Sequence, residues 1–234
     1  MKALVAVAVV ALGWLVCPRP SGVDPELVLN RAMSKCNVCP TCAALLQRNY
    51  TPLIEGREVI DGRTAWVLRL KPHSKKTPWR QLWVDTKTYA VLAQRDWSSR
   101  NEMKRTAKGL GLQQCRQGAC GYEGLQSKLD PAAEVLGGKL VLPGFVPRGF
   151  ELLSVDVDKK GVSVQIVYTD GMYGISVIEG REAETAGREL RPGRVYDWGQ
   201  GMIVCRRVGG KRVLLVADLP VVDMEKMANS LHLP

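Results

Sequence analysis

With 234 residues, 46% of them apolar and 24% charged, the chain can hold one large domain or two small ones with a real core, and it is too apolar to be disordered over most of its length. Its formal charge of +10 is spread over 71–80, 95–108, 181–194 and 206–212 rather than gathered in one block. Such a diffuse excess is most simply a solvated surface, and otherwise attracts an acidic partner or anionic lipid head groups; with no reading motif beside it, nucleic acid is not an expected partner.

Residues 1–22 read as an export signal or an N-terminal anchor. Met1-Lys2 is followed by an apolar run from Ala3 to Cys17, shorter than the roughly 20 residues that span a bilayer but suited to a secretory signal. Ala11-Leu12-Gly13 has small residues spaced for cleavage, whereas Trp14-Leu15-Val16 before Cys17 argues against lipidation. Seven cysteines, six of them beyond this segment, fit an oxidising compartment better than a reducing one. Cys115 and Cys120 enclose a short glycine-containing loop suited to a local disulfide. Cys36, Cys39, Cys42 and Cys205 are enough for two further bridges, whose pairing sequence does not reveal.

Asp24-Pro25 carries the start signals of a helix, and a second helix is expected from Thr41 through Leu46. Four strands follow, Tyr50–Ile60, Arg63–Lys71, Trp79–Asp85 and Thr88–Trp97, with tight turns at Asp61-Gly62 and Thr86-Lys87, so the pattern is a meander. Alternation places Trp66, Leu68 and Leu70 on one face of the second strand and Ala65, Val67 and Arg69 on the other. In the third strand Trp79 and Trp83 oppose Leu82 and Val84. With large apolar groups on both faces, the sheet must be covered on each side, curl around its own interior, or offer an apolar surface to a ligand.

Gly, Gln and charge enrich residues 98–140, and the domain boundary is expected there, with 113–140 as a linker holding the Cys115–Cys120 loop. Within it, Asp130-Pro131 opens a short helix that Gly137-Gly138 closes. The division is thus 23–112 for the first domain and 141–234 for the second. Strands are expected at Glu151–Asp158, Val162–Thr169, Met172–Glu179, Met202–Val208 and Lys211–Asp218. Asp170-Gly171 is the clearest hairpin signal in the chain, read as a tight turn with both residues at positive φ, and Gly209-Gly210 is a second one. A closing helix from Pro220–Asp223 carries Met224, Met227, Ala228 and Leu231 as one apolar stripe.

Chemistry-bearing motifs are few. Cys36-Asn-Val-Cys39-Pro-Thr-Cys42 admits three readings: structural disulfides, a metal site completed by Cys205 or His73, or a redox thiol at a helix start. A thioredoxin-like site wants a strand before the motif, and none is apparent before Cys36. His73 and His232, the only histidines, stand apart from any nucleophile that the sequence assembles, and no glycine-rich phosphate loop is present. No catalytic residue and no cofactor are expected.

Leu142-Pro-Gly-Phe-Val-Pro-Arg-Gly-Phe150, then Tyr168-Thr-Asp-Gly-Met-Tyr-Gly-Ile-Ser-Val177, then Val213-Leu-Leu-Val-Ala-Asp-Leu-Pro220 and the closing helix, in that order and spacing, resemble the C-terminal domain of the RseB/MucB family over about residues 140–233. Leu46–Tyr50, Ile60–Pro72 and Leu82–Leu92 are similar to the later strands of the LolA-like sheet that forms the first domain of the same family. The region before Tyr50 departs from it, being short, helical and rich in cysteine where the family has further strands. The resemblance implies an α+β, mostly antiparallel protein of two domains. It implies a non-enzymatic envelope protein that binds the periplasmic part of a membrane-embedded anti-sigma factor and shields it from proteolysis, with release triggered by misplaced lipids or lipoproteins. A LolA-like carrier of lipid or lipoprotein acyl chains is the alternative, and a thiol or metal protein built on the Cys36 cluster is the second alternative. The contact residues for a partner and the oligomeric state are unknown from sequence.

Overall fold

The computed structural model describes residues 22–75, 77–98, 103–108, 125–158, 160, 162–186, 189–197, 201–217 and 219–234. The export segment and the Cys115–Cys120 loop lie outside them. Helix α1 (Pro25–Lys35) begins where Asp24 accepts the Glu26 N–H at 2.9 Å and proline takes the first position, whose N–H needs no partner. Helix α2 (Pro40–Asn49) repeats the arrangement with Cys39 as its cap and runs directly into a strand at Tyr50.

Strands β1 (Tyr50–Ile60), β2 (Arg63–Pro72), β3 (Trp79–Asp85), β4 (Val91–Trp97) and β5 (Met103–Lys108) form an antiparallel meander in that order. Asp61 and Gly62 both have positive φ, 48° and 77°, as the tight hairpin requires. Strand β4 starts later than expected. The Asp85 carboxylate accepts the N–H groups of Lys87 and Thr88 at 2.9 and 2.6 Å, and Tyr89 turns to φ 60°, so the bend extends past Thr88. Strand β5 adds a fifth member to the meander, from a segment too polar to stand out by hydrophobic pattern.

The faces of this sheet differ. Trp66, Leu68, Leu70, Leu82 and Val84 join Val28, Leu29, Ala32 and Met33 of α1 and Leu46 of α2 in the main core. On the other face Ala65, Val67, Trp83 and Ala93 form a small separate cluster. Its tryptophans are covered by neighbouring side chains: Arg95 lies 4.9 Å over Trp83, Arg69 lies 4.0 Å over Trp79, and Trp79 stacks on Trp97 at 5.0 Å. The second face is thus apolar rings coated by guanidinium groups, and the question left open by alternation has its answer in long side chains lying flat.

Helix α3 (Leu125–Val135) starts earlier than Asp130 and carries Pro131 in its interior. An interior proline costs about 3 kcal/mol, and the burial of Leu129 and Ala132 in the core offsets it. Gly137 at φ 67° ends the helix, with the Gly138 N–H reaching the Ala133 carbonyl at 3.0 Å.

The second sheet is six-stranded and antiparallel. With β6 (Leu142–Pro143) set apart, β7 (Glu151–Asp158), β8 (Ser163–Thr169), β9 (Gly174–Gly180), β10 (Val195–Asp197), β11 (Met202–Val208) and β12 (Lys211–Ala217) lie in the order β10-β11-β12-β9-β8-β7. A short helix, α4 (Arg181–Ala186), follows β9. The Gly209-Gly210 hairpin has both residues at positive φ, as expected. The Asp170-Gly171 turn does not. Strand β9 begins at Gly174 rather than Met172, the connection runs from Asp170 to Tyr173, and only Gly171 is at positive φ, +97°. Asp170 instead uses Oδ1 to accept the N–H groups of Met172 and Tyr173 at 2.9 and 2.7 Å, an Asx-type turn.

The closing helix α5 (Val221–Asn229) buries Met224, Met227 and Ala228. Leu231 lies past its end in β13 (Leu231–His232), which pairs with β6, and is buried there all the same. Both sheets contribute to one continuous apolar cluster.

Candidate functional site

The two sheets meet around the tip of the β8–β9 connection. Because α2 passes into β1 without a loop, Asn49 and Tyr50 are held by helix and sheet together. The Asn49 amide donates to the carbonyls of Gly149 and Asp170 at 2.8 and 2.9 Å, and the Tyr50 hydroxyl donates to Asp170 Oδ2 at 2.5 Å. Gly171 lies against the backbone of α2, where an added Cβ would be 2.3 Å from the Leu46 nitrogen and 2.6 Å from the Cys42 carbonyl oxygen. Arg80 of β3 pairs with Asp96 of β4 at 2.5 Å and lies 5.5 Å from the centre of the Tyr173 ring.

Burial governs the electrostatics of this junction. It pushes the Asp170 carboxyl upward, against the donors it has from Tyr173, Tyr50 and Met172, and it pushes the Tyr50 hydroxyl well above an ordinary phenol, with Asp170 adding to the effect. Burial opposes the charge of Arg80, but Asp96, Tyr173 and Tyr50 together outweigh it and the guanidinium pKa rises. The arrangement satisfies Asp170 and holds a turn in place.

Cys36 ends α1 and is buried in the main core, Cys39 caps α2 with its sulfur 3.3 Å from the Cys42 nitrogen, and Cys42 is buried beneath the Gly171 tip. Cys205 belongs to a different cluster, with Ala183 and Leu214 under α4, and burial raises its thiol pKa. Among the described residues no group of three or more His, Cys, Asp or Glu side chains could hold a metal ion. His73 Nε2 is 3.0 Å from the Thr51 hydroxyl, and His232 is at the C-terminal edge beside Ser230. The junction residues Asn49, Tyr50, Arg80 and Asp96 escaped sequence reasoning. Arg80 alone carried a signal, since alternation sets it on the inward face with Leu82 and Val84, where a charge needs a buried partner.

No family model and no curated relative matches the sequence. Solved structures do match. The chain is similar to the complex structure of Pseudomonas aeruginosa MucA/MucB, with 18% identity and a TM-score of 0.54 over 81% of this chain and 67% of that one. It is similar to MucB in complex with MucA(peri), with 17% identity and a TM-score of 0.53 over 81% and 69%, and to MucB alone, with 20% identity and 0.55 over 82% and 66%. The chain therefore spans about two thirds of the length of these structures. A five-stranded sheet capped by helices, locked to a six-stranded sheet with a closing helix, is in this chain an RseB/MucB-like α+β fold.

Proposed function

We propose that this chain is a non-enzymatic regulatory binding protein of the bacterial envelope that binds the periplasmic part of an anti-sigma factor and modulates its proteolysis. The observation that carries this proposal is the fold shared over 81% of the chain with MucB structures, two of them containing MucA. The junction supports it, because a turn sealed by Asn49 and Tyr50 presents both sheets to a partner in one fixed relation. Among the described residues no helix is long and apolar enough to cross a membrane, and a periplasmic location belongs to the same proposal. So do the division at 113–140 and a Cys115–Cys120 disulfide, while Cys36 and Cys205 carry free thiols in the structure.

Lipid carriage has less support. The inward face of the first sheet, which a carrier would keep for an acyl chain, is filled by α1, α2 and the hairpin tip. Affinity capture from an envelope extract tests the proposal: a membrane protein with an anti-sigma cytoplasmic domain should co-purify and become resistant to proteolysis. Recovery of bound lipid without that partner would overturn it in favour of carriage.

A further inference from the structure

The outward face of the first sheet carries a cross-strand row set by register: Leu53 of β1 opposite Arg69 of β2, Arg69 opposite Gln81 of β3, and Gln81 opposite Arg95 of β4. Beside it runs the stacked pair Trp79–Trp97, and beyond Trp97 the strand pairing reaches Met103, which is 59% exposed. Arg69 and Gln81 share the carboxylate of Glu55, at 3.4 and 2.7 Å, and Glu58 accepts from the Trp83 indole at 2.8 Å. These acids leave Arg95 unmatched. Among the described residues it has no ion pair, and its Nε is buried with no hydrogen-bond partner there, as are Arg69 Nε and Trp97 Nε1.

We propose that the Arg69–Gln81–Arg95 row docks an acidic segment of the protein partner, with Arg95 receiving a carboxylate. This inference rests on the proposed regulatory binding role and names its surface. Three observations favour it. Arg95 is already laid over Trp83 at 4.9 Å, so little rotamer freedom remains to be lost on pairing, and a stacked guanidinium keeps its in-plane N–H groups for a carboxylate. The chain carries +10, so an acidic partner is also steered toward it. Two of the rings are closed to a sugar: Trp79 has Arg69 and Trp97 on its two sides and Trp83 has Arg95 over it, which removes aromatic faces that glycan stacking would need.

The test uses the full chain and a short fluorescent peptide alternating glutamate and serine, with its glutamine counterpart as control. Arg95→Gln is compared with Arg148→Gln, an exposed arginine in the loop before β7, which changes net charge equally. Arg95→Gln should weaken glutamate-peptide binding about fivefold or more and abolish the tryptophan fluorescence change on binding, whereas Arg148→Gln should shift binding less than about twofold. Equal losses in both variants would mean general charge attraction and would overturn the proposal. So would binding to phosphatidylglycerol vesicles, lost in Arg95→Gln, without binding of the peptide. Equal capture of the anti-sigma partner by wild type and Arg95→Gln would sink this surface while leaving the proposed function standing. Failure of the wild type to capture any such partner would instead sink that function.

Discussion

Replacing Gly171 with alanine should separate the junction between the sheets from the fold of either one. Any L residue at φ +97° is strained by about 1 kcal/mol. Here the added Cβ also meets backbone, 2.3 Å from the Leu46 nitrogen and 2.6 Å from the Cys42 oxygen, so no flexible side chain can swing aside. The tip must back away from α2, which stretches the bonds from Asn49 and Tyr50 to Asp170, each worth about 1 kcal/mol. It also loosens the packing of buried Met172 and Tyr173. Together these give about 3–5 kcal/mol, a large part of a typical domain's stability. Gly62→Ala supplies the control: its φ is +77° but nothing lies within 4 Å of the added Cβ, so the strain alone, about 1 kcal/mol, should appear. Denaturant unfolding followed by tryptophan fluorescence measures both. Equal losses at Gly171 and Gly62 would refute the docking of this turn on α2.

Other outcomes are expected. Glu179 is fully buried, accepts the Val141 N–H at 2.8 Å and has no partner for its second oxygen, and burial pushes its carboxyl up to about 7 against the Val141 N–H and Lys211. Its folded pKa exceeds the unfolded one, so its contribution to stability is intact below about pH 4.3 and is lost as pH rises through 7. Glu179→Gln should therefore be the more stable protein at pH 8, by up to about 3 kcal/mol, with a flatter stability profile; parallel profiles for the two proteins would show the argument to be wrong. Tyr50→Phe strips Asp170 Oδ2 of its donor and should cost about 1–3 kcal/mol, less at acid pH where Asp170 protonates, as thermal melts across pH would read. Cys205 should resist a thiol reagent in the native protein and react on unfolding, because burial both covers it and raises its pKa. Rapid native labelling, or a disulfide found between Cys205 and Cys36, would contradict the separate clusters in which they lie.

Much of the fold is legible because it follows from local rules. Asp24 before Pro25, the Asp61-Gly62 pair and the Gly209-Gly210 pair each act through their own backbone, so the elements they bound lie close to where the sequence puts them. Strands β1, β3, β7 and β11 match their expected ends, since alternation and flanking turns both mark them. The misses have a common cause. Pro131 sits inside α3 because Leu129 and Ala132 find a core there, and β5 is a strand because β4 offers it an edge. Both decisions are made by packing or pairing partners rather than by the segment's own pattern.

The Asp170-Gly171 turn shows the same division. Its residue types alone determined that the chain reverses here and that Gly171 takes a left-handed conformation, because sterics at a single Cα require it. Tertiary structure decided that the reversal is longer and is capped by Asp170, since Tyr50 and Asn49, 120 and 121 residues away from it in the chain, supply the bonds that make a buried aspartate tolerable there. Likewise the alternation of Trp66, Arg69, Trp79 and Trp83 determined that the first sheet has two apolar faces. Only the assembled sheet decided that one face becomes core and the other is coated by Arg69 and Arg95, because cross-strand register alone brings each guanidinium over its ring.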